Sequence, residues 1–488
     1  MVPPPDRHIE VERKFDVTDG AVAPSFAGLS AVARTEQLPS VTLDAQYFDT
    51  PRHDLRAHRI TLRRRTGGPD EGWHLKLPAG DDTRSELRAP LGDDTDEVPS
   101  ELRDMVLAIV RDRLLAPVAR ITTERTVTRL YDADGRLLAE FSDDRVTASP
   151  AADGAPEQTW REWEIELAED AADDTALLDR LGNRLLDAGA EPAASSSKLG
   201  RVLTAAGPDV SPRTPSDDPL HRAVAEQVDE LLRWDRAVRV DAHDSVHQMR
   251  VTTRKIRSLI SGAEASFGLT PDAWLLDELR ELAAVLGTAR DAEVLAERYE
   301  AALAALPDEL VRGDVRKRLV DGAHRRYRAG LRRSLAAMRS PRYFRLLDAL
   351  EGLAAAEPHD DGQSATSLAA AYKKLRKRAK AARAAGDHDD EALHRIRKAA
   401  KGLRYTASAT GATRLADAAK RVQSLLGDHQ DAVVSRDHLA REAAAAHAAG
   451  EDTFTYGVLY QREDEAARTS RAALGDALKA LRKAAEKA

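Results

Sequence analysis

The chain has 488 residues, of which 42% are hydrophobic and 32% charged, a composition typical of a folded protein with several domains. It contains no cysteine, which excludes disulfide bonds, thiolate metal sites and cysteine nucleophiles. The N-terminal residues lack the apolar core of a secretion signal, and no segment approaches the roughly 18 apolar residues that span a bilayer. We therefore expect a cytoplasmic protein with no membrane partner.

Charge is distributed unevenly along the chain. Residues 1–207 contain 26 basic and 39 acidic residues, a net charge of −13, whereas residues 208–488 contain 48 and 43, a net charge of +5. Residues 207–219 hold four prolines and no apolar periodicity, which predicts a linker. Patterns typical of strands precede it and helical patterns follow it, so we expect an α+β protein with two modules.

Eight segments of the N-terminal module alternate between apolar and polar residues, as β-strands do. They are residues 8–17, 41–49, 59–65, 72–77, 84–91, 120–131, 136–147 and 159–168. Helical patterns occur near residues 101–115 and 175–188. Eight strands predict a closed antiparallel barrel, because closure leaves no strand edge exposed.

Both signs of charge recur on one face of the predicted strands. Glu10, Glu12 and Lys14 alternate with apolar residues in the first strand, and residues 162, 164 and 166 repeat the carboxylates in the last. Alternation alone does not say whether this face meets solvent or the inside of the barrel. Clustered carboxylates suit divalent cations, and Arg and Lys suit phosphate oxygens. An inward charged face therefore predicts a site for a metal-bound polyphosphate.

A series of short motifs resembles the CYTH domains, or triphosphate tunnel metalloenzymes, over roughly residues 6–203. Glu10-Val-Glu12-Arg-Lys14 is similar to the Glu-x-Glu-x-Lys signature of that family. The later motifs are Tyr47-Phe-Asp-Thr50, Leu62-Arg-Arg-Arg65, the strand with Lys76, Arg84-Ser-Glu86, Glu162-Trp-Glu-Ile-Glu-Leu167 and Ser197-Lys198. The resemblance implies an eight-stranded tunnel that binds inorganic triphosphate with Mg²⁺ or Mn²⁺ and hydrolyses it.

The same resemblance implies roles for individual residues, with Glu10, Glu12 and Lys14 in the catalytic set. The residues implied to hold the metal are Glu10, Glu12, Glu86, Asp144, Glu164 and Glu166. The residues implied to bind the phosphates are Lys14, Arg63, Arg65, Lys76, Arg125 and Lys198. Two choices stay open. Alternation favours Asp144 over Asp143, and the last strand offers either Glu162 with Glu164 or Glu164 with Glu166.

The C-terminal module repeats itself. Residues 246–257 match residues 393–404, and residues 286–294 match residues 426–434, at offsets of 147 and 140 residues. The first match spaces basic side chains 3, 4 and 3 residues apart, which places them on one stripe of a helix. These basic stripes are His247, Arg250, Arg254 and Arg257 in one copy and His394, Arg397, Lys401 and Arg404 in the other. An anion lying along paired stripes would relieve the repulsion between the stacked charges.

The duplicated stripe, with a Leu-Gly-x-x-x-Asp-Ala motif in each copy, resembles the CHAD domain over roughly residues 219–488. This resemblance implies two four-helix bundles, in about residues 220–355 and 366–488, whose basic face binds inorganic polyphosphate. A polar break at residues 356–365 separates the two copies.

Other functions remain open. One is a non-catalytic scaffold that binds polyphosphate, and the others are a thiamine or nucleoside triphosphatase and an enzyme similar to class IV adenylate cyclases. The chain contains no Gly-x4-Gly-Lys-Ser/Thr sequence, which excludes a P-loop NTPase. No aromatic residue is interleaved among the stripe positions, which argues against nucleic acid as a partner. The oligomeric state stays open.

Overall fold

The computed structural model describes residues 6–486 except residues 81, 93–96, 153, 207–216, 262, 271–272, 357–367 and 386–389. Most of the predicted linker and of the predicted break at 356–365 therefore lies outside the described residues. The described chain divides into two compact units. Unit 1 contains residues 6–206 together with Leu232–Ala242 and Met338–Asp348, and unit 2 contains the remainder.

Unit 1 has ten strands within its described residues. They are β1 (Asp6–Val17), β2 (Arg34–Gln37), β3 (Val41–Asp49), β4 (Thr61–Thr66), β5 (Gly72–Pro78), β6 (Thr83–Ala89), β7 (Ala116–Tyr131), β8 (Leu137–Pro150), β9 (Gln158–Leu167) and β10 (Glu191–Pro192). Eight of them form an antiparallel barrel in the order β1-β6-β5-β4-β3-β7-β8-β9, and β9 pairs back with β1. The prediction of a closed eight-stranded barrel is confirmed. The short strands β2 and β10, which pair with β7 and β1, were not predicted.

Five helices accompany the barrel in the described sequence up to residue 206. They are α1 (Asp54–Ala57), α2 (Ser100–Met105), α3 (Leu107–Val110), α4 (Thr175–Asp187) and α5 (Lys198–Ala206). The single helix predicted over 101–115 is divided into α2 and α3, and Arg111 follows with a φ of 58° that ends helical geometry. The strand β7 then begins at Ala116.

The apolar faces of three strands explain why the charged faces point inward. Phe15, Phe141 and Trp163 pack on the outside of β1, β8 and β9 against Leu177 and Leu181 of α4. Asp174 begins α4 by accepting a hydrogen bond from the backbone N–H of Leu177 at 2.9 Å. Because successive residues of a strand point to opposite faces, burying these apolar side chains outside turns the intervening charged residues into the barrel.

One part of the barrel interior is apolar. Leu199, Val202 and Leu203 of α5 pack against small and aliphatic side chains of β3, β7 and β8, including Ala45 and Ile121. Ala45 and Ile121 also line the cavity of the barrel. This packing anchors α5, and it places Lys198, the first residue of α5, among the charged side chains of the cavity.

Nine helices follow within the described residues beyond 216. They are α6 (Pro219–Arg239), α7 (Ser245–Ile260), α8 (Trp274–Ala304), α9 (Gly322–Met338), α10 (Pro341–Ala355), α11 (Leu368–Ala385), α12 (Asp390–Ala409), α13 (Thr413–Ala448) and α14 (Phe454–Ala485). The helices α7 and α8 carry the two motifs of the first copy, and α12 and α13 carry those of the second. The predicted helical C-terminal region is confirmed, and the second copy consists of the four helices α11–α14.

Among the described residues of unit 2, two hydrophobic core clusters join its helices. One lies among α11, α12, α13 and α14, around Leu375, Leu403 and Val422. The other joins α8 to the later parts of α13 and α14 through Tyr299, Leu439 and Tyr456. Apolar contacts therefore cross from one copy of the repeat to the other. None of the described helices is long and apolar enough to cross a membrane.

Unit 1 includes two stretches that follow the predicted linker in sequence. Arg239 donates hydrogen bonds to Asp104 of α2 at 2.9 Å and to Asp235 at 2.6 Å. Tyr343 donates to the same Asp235 at 2.9 Å, and buried Arg111 pairs with Asp348. These buried, charge-assisted hydrogen bonds fix the segments 232–242 and 338–348 within unit 1.

Candidate active site in the tunnel and the basic groove

The barrel encloses a cavity of about 210 Å³ that is lined mainly by charged side chains, and all eight barrel strands contribute to the lining. The residues predicted from the sequence that line it are Glu10, Glu12, Lys14, Arg63, Arg65, Lys76, Glu86, Arg125, Glu164, Glu166 and Lys198. Asp144 is fully buried and touches Lys198 and Arg125 of this set. The charged faces of the strands therefore meet inside the barrel, in what we call the tunnel.

Three carboxylates converge on one side of the tunnel. Ligand oxygens of Asp144, Glu162 and Glu164 lie within 4.8 Å of one another, and all three side chains are buried. The pairing of β8 with β9 places Asp144 opposite Glu162, which explains why these two meet. Asp143 points to the other face of β8, where it pairs with Arg161 at 2.7 Å.

Cations hold this carboxylate cluster in place. Lys198 Nζ lies 2.8 Å from Asp144, 2.6 Å from Glu162 and 2.7 Å from Glu164. Arg125 donates to both oxygens of Asp144, at 2.8 and 2.6 Å, and to Glu164 at 2.6 Å. Lys14 contacts Glu164 as well, and it lies 2.8 Å from Glu12. Glu164 is therefore the carboxylate shared by all three cations.

A second group of ion pairs lies on β1, β4, β5 and β6. Lys76 is 2.5 Å from Glu10 and 4.0 Å from Glu86. Glu86 also accepts a hydrogen bond from Arg88 at 2.5 Å, and it lies 3.9 Å from Arg63. The Glu10 and Glu86 carboxylates are thus held away from the cluster at Glu164, and the two groups can engage different parts of a bound anion.

Burial and neighbouring charges divide the carboxyl groups into two kinds. Burial raises the pKa of Glu12, but Lys14 and Lys76 outweigh it and bring the pKa to about 2. The same competition, with Lys14, Lys198 and Arg125 as the cations, holds the pKa of Glu164 well below its usual value. Burial, reinforced by Glu10 and Glu12, raises the pKa of Glu166 to about 8. Glu12 and Glu164 are therefore ionised at neutral pH, whereas Glu166 is mostly protonated.

For the cations the two influences act in the opposite directions, because burial lowers the pKa and neighbouring carboxylates raise it. Burial lowers the pKa of Lys198, but Asp144, Glu164 and Glu162 raise it well above its ordinary value. Arg65 differs, because burial and the nearby Arg63 lower its pKa to about 10 despite its pairing with Asp70. Arg65 thus lies where positive charge is least compensated, and it is the predicted phosphate-binding residue with most to gain from an anion.

Several residues in and around the tunnel were given no individual role in the sequence analysis. His74 is buried and contacts Glu86 through Nδ1 at 2.9 Å, which orients that carboxylate, and the alternation with Lys76 is a signal that could have found it. Tyr47 faces Arg63 at 3.4 Å. Asp49 of the same Tyr-Phe-Asp-Thr motif has a structural role, because its side chain accepts backbone hydrogen bonds from Thr50, Leu55 and Arg56 at 2.7–3.0 Å.

The donor set fits a divalent cation. Asp144, Glu162 and Glu164 supply buried carboxylate oxygens, the ligands that Mg²⁺ and Mn²⁺ prefer. A bound divalent cation would neutralise phosphate oxygens and activate water. Of the residues predicted to hold the metal, Glu10, Glu12 and Glu86 lie among the cations of β1, β5 and β6, and Glu166 faces Glu12 across the β1–β9 pairing.

The middle parts of the two basic stripes of unit 2 lie close enough for their charges to act on one another. The charges that act on the Lys401 side chain of α12 come from Arg250, Arg254 and Arg257 of α7 and from Arg397 of its own helix. Arg254 in turn is influenced by Arg397 and Tyr405 of α12. We call the place where the stripes meet the basic groove. Its central members Arg250, Arg254, Arg397 and Lys401 are half-buried.

The matched Leu-Gly motifs explain how the arginines are accommodated. A Cβ atom at Gly287 of α8 would lie 3.4 Å from the Arg250 guanidinium, and one at Gly427 of α13 would lie 3.2 Å from that of Arg397. The matched Asp291 lies 3.6 Å from Arg250, and Asp431 is close enough to Arg397 for its pKa to be affected. Each copy therefore uses a glycine to let a stripe arginine lie flat against the long helix.

Comparison with known proteins gives the same division of the chain. A CYTH domain matches residues 8–188 and a CHAD domain matches residues 222–440. An uncharacterized protein of Mycobacterium tuberculosis (strain H37Rv) is 60% identical over 506 residues, covering 100% of this chain and 99% of that protein.

Two solved structures are each similar to about half of the chain. The CHAD domain from the plant Ricinus communis is 26% identical, covers 54% of this chain and 94% of its own, and has a TM-score of 0.40. PptA from Streptomyces chartreusis is 20% identical, covers 55% and 100%, and has a TM-score of 0.43. CYTH domains are those of metal-dependent triphosphate tunnel enzymes with triphosphatase or cyclase activity. The tunnel, the duplicated stripes and the matched domains together show that this chain belongs to the family of proteins in which a CYTH domain is followed by a CHAD domain.

Proposed function

We propose that the tunnel hydrolyses inorganic triphosphate with Mg²⁺ or Mn²⁺ and that the basic groove binds inorganic polyphosphate. The observation that carries the first part is a buried carboxylate cluster whose member Glu164 lines the barrel cavity together with Lys14, Arg125 and Lys198. The second part rests on the two stripes of cations in unit 2, whose middle parts lie close together.

The chemistry follows from charge. A triphosphate repels an attacking water until its terminal phosphate oxygens are neutralised, so fixed cations lower the barrier. In the free tunnel, Lys14, Arg125 and Lys198 are paired with Glu164 and its neighbours. A triphosphate that enters the tunnel replaces these carboxylates as the ion-pair partner of Lys14, Arg125 and Lys198. The carboxylate oxygens would then be available to hold the divalent cation.

The lining favours a bare phosphate chain. Tyr47 is the single aromatic side chain lining the cavity among the described residues, so a nucleobase lacks a stacking platform there. We therefore propose inorganic triphosphate as the preferred substrate.

A second cavity supports an alternative substrate class. A space of about 400 Å³ shares Glu12, Lys14 and Arg84 with the tunnel cavity, and Phe15 and Leu186 also line it. The organic group of a thiamine or nucleoside triphosphate could occupy this mixed apolar and polar space while its phosphates lie in the tunnel. An adenylate-cyclase-like reaction would use the same two spaces.

The test is a panel of substrates with the full-length protein. We expect phosphate release from triphosphate with Mg²⁺ or Mn²⁺ to exceed release from ATP, thiamine triphosphate and longer polyphosphate, and to be lost in Glu10→Ala and Glu12→Ala. Glu124→Gln is the matched control, because Glu124 of β7 is exposed, whereas its neighbours Thr123 and Arg125 line the cavity. Activity that persists in both alanine variants would remove the assignment of the tunnel as the active site.

A scaffold without catalysis is the competing proposal. It predicts no metal-dependent phosphate release from any of the four substrates while polyphosphate still binds. For the groove, binding of polyphosphate and of single-stranded RNA should be compared over a range of salt concentrations. Equal affinities would contradict polyphosphate specificity. A cytoplasmic location is part of the proposal and can be checked by fractionating cells.

A further inference from the structure

Lys401 lies at the centre of the basic groove, and no carboxylate of the described residues lies within ion-pairing distance of it. Within the described residues, none of Lys401, Arg254, Arg257 and Arg397 forms an ion pair with a carboxylate closer than 4 Å. Arg250 has Asp291 at 3.6 Å. The tunnel differs, since each of its lysines is directly paired with carboxylates.

The groups facing Lys401 come from several helices. The helix α7 contributes Arg250, Arg254 and Arg257, and α12 contributes Arg397. The Tyr405 ring of α12 lies 5.5 Å from Lys401 Nζ. On the neighbouring long helices, Asp291 of α8 and Asp428 and Asp431 of α13 influence one another beyond Arg250 and Arg397.

Because of these neighbours, the charge of Lys401 depends on the pH and on whether an anion is bound. Burial lowers the pKa of Lys401, and Arg254, Arg397, Arg250 and Arg257 lower it further, to about 7. The arginines keep their charge at any physiological pH, so the lysine is the member of the cluster that gives up its proton. A polyanion lying in the groove would compensate the arginines and restore the lysine's preference for the charged form.

We propose that Lys401 couples binding of polyphosphate in the basic groove to the uptake of a proton, so that affinity rises as the pH falls through neutrality. This inference rests on the proposed polyphosphate-binding function of the groove. Below pH 7 the lysine is already charged and the anion binds a fully positive groove. Above pH 7 part of the binding free energy is used to protonate it.

The size of the effect follows from a group that is half protonated near pH 7 when free and fully protonated when bound. Affinity for polyphosphate should fall about tenfold between pH 6 and pH 8, and binding at pH 7 should take up about half a proton.

The experiment is titration calorimetry of the full-length protein with long-chain sodium polyphosphate at pH 7, with a chelator to stop hydrolysis. Two buffers of different ionisation enthalpy report the number of protons taken up. Lys401→Arg keeps the positive charge at every pH, so we expect it to lose both the proton uptake and the tenfold pH dependence. Circular dichroism verifies that the variant is folded.

A lysine outside the groove provides the matched control. Lys479 of α14 is exposed and pairs with Asp476 at 3.0 Å. Lys479→Arg makes the same substitution as Lys401→Arg and should keep the uptake measured at pH 7. Uptake that is unchanged in Lys401→Arg would overturn the inference and leave the groove's proposed function standing. If the wild-type protein does not bind polyphosphate even at pH 6, the proposed function of the groove fails, and the inference fails with it.

Discussion

The tunnel of unit 1 and the basic groove of unit 2, the two proposed anion sites, differ in how their charged side chains are arranged. In the tunnel, cations and carboxylates pair within a closed barrel, so the site is electrostatically satisfied before a ligand arrives. In the groove, cations face cations, and the nearest described carboxylate, Asp291, lies 3.6 Å from one arginine. The charged groups of the tunnel are therefore preorganised, as catalysis requires. The cations of the groove repel one another, and a bound anion would relieve that repulsion.

The largest effect is expected from Glu164, the carboxylate that Lys14, Arg125 and Lys198 share in the tunnel. Glu164→Gln leaves Lys14, Arg125 and Lys198 without their common partner and removes a ligand from the carboxylate cluster. We expect triphosphate hydrolysis to fall by about 10²–10³-fold, the range seen when one preorganised polar group is lost from an active site. Phosphate release at saturating Mg²⁺ measures it, with Glu124→Gln as the control. A loss of less than about tenfold would contradict the central position of Glu164.

Replacing one lysine in each region should change stability in opposite directions. Lys198→Met leaves Asp144, Glu162 and Glu164 buried without their shared ammonium, so the free energy of unfolding should fall by about 3 kcal/mol. Lys401→Met removes a repelling charge and should raise it by about 1–3 kcal/mol, less than the full equivalent of the pKa shift because Lys401 is only half-buried. Urea unfolding without ligand measures both changes. A lower free energy of unfolding in Lys401→Met would show that the groove is not under repulsion.

The pH dependence of the Lys401→Met effect sharpens the same test. The folded protein holds the pKa of Lys401 at about 7, below that of the unfolded chain, so the unfolded state binds more protons between the two values. The cost of the charge is fully present below pH 7 and diminishes as the pH rises above it. The stabilisation by Lys401→Met should therefore be larger at pH 6 than at pH 9.

The carboxylates of β9 test how a metal ion would use the tunnel. Glu162 lies within the buried cluster with Asp144 and Glu164, whereas Glu166 lies opposite Glu12 and is mostly protonated at neutral pH. Glu162→Gln should weaken Mn²⁺ binding about tenfold, and Glu166→Gln should weaken it less. Calorimetric titration with Mn²⁺ compares the two variants. A larger loss in Glu166→Gln would select the other pair of glutamates as the ligands.

The smallest expected effect concerns the glycines that accommodate the groove arginines. Gly427→Ala places a Cβ atom 3.2 Å from the Arg397 guanidinium, which must shift by a few tenths of an ångström. We expect polyphosphate affinity to fall about two- to threefold. Gly402→Ala on α12 is the control, because no described atom lies within 4 Å of its Cβ position, and it should stabilise the helix by about 0.5–1 kcal/mol. Equal affinities in the two variants would show that Arg397 does not need its present position.

The parts of the fold that were predicted from sequence are those with strong local periodicity. Strand β9 alternates large apolar residues with glutamates, so its two faces were evident, and burial of Trp163 against α4 decides which face points inward. Strand β2 is exposed at every residue and therefore carries no alternation. The helix predicted over 101–115 ends early because Arg111 adopts a positive φ, which residue types do not reveal.

Long-range pairing accounts for what the sequence left open at the sites. Glu162, Glu164 and Glu166 share one face of β9, so alternation could not rank them, and the pairing of Asp144 with Glu162 across β8 and β9 is needed to distinguish them. The repeat revealed matched stripes on α7 and α12. Their convergence on Lys401 depends on how the two copies pack through α8, α13 and α14.

The stretches 232–242 and 338–348 make unit 1 depend on residues that follow the predicted linker. Asp104 receives hydrogen bonds from both Arg239 and Arg339, and Arg111 pairs with Asp348. A recombinant protein that contained only residues 6–206 would lack these partners of Asp104 and Arg111. Fusion proteins that include the barrel should therefore include both stretches.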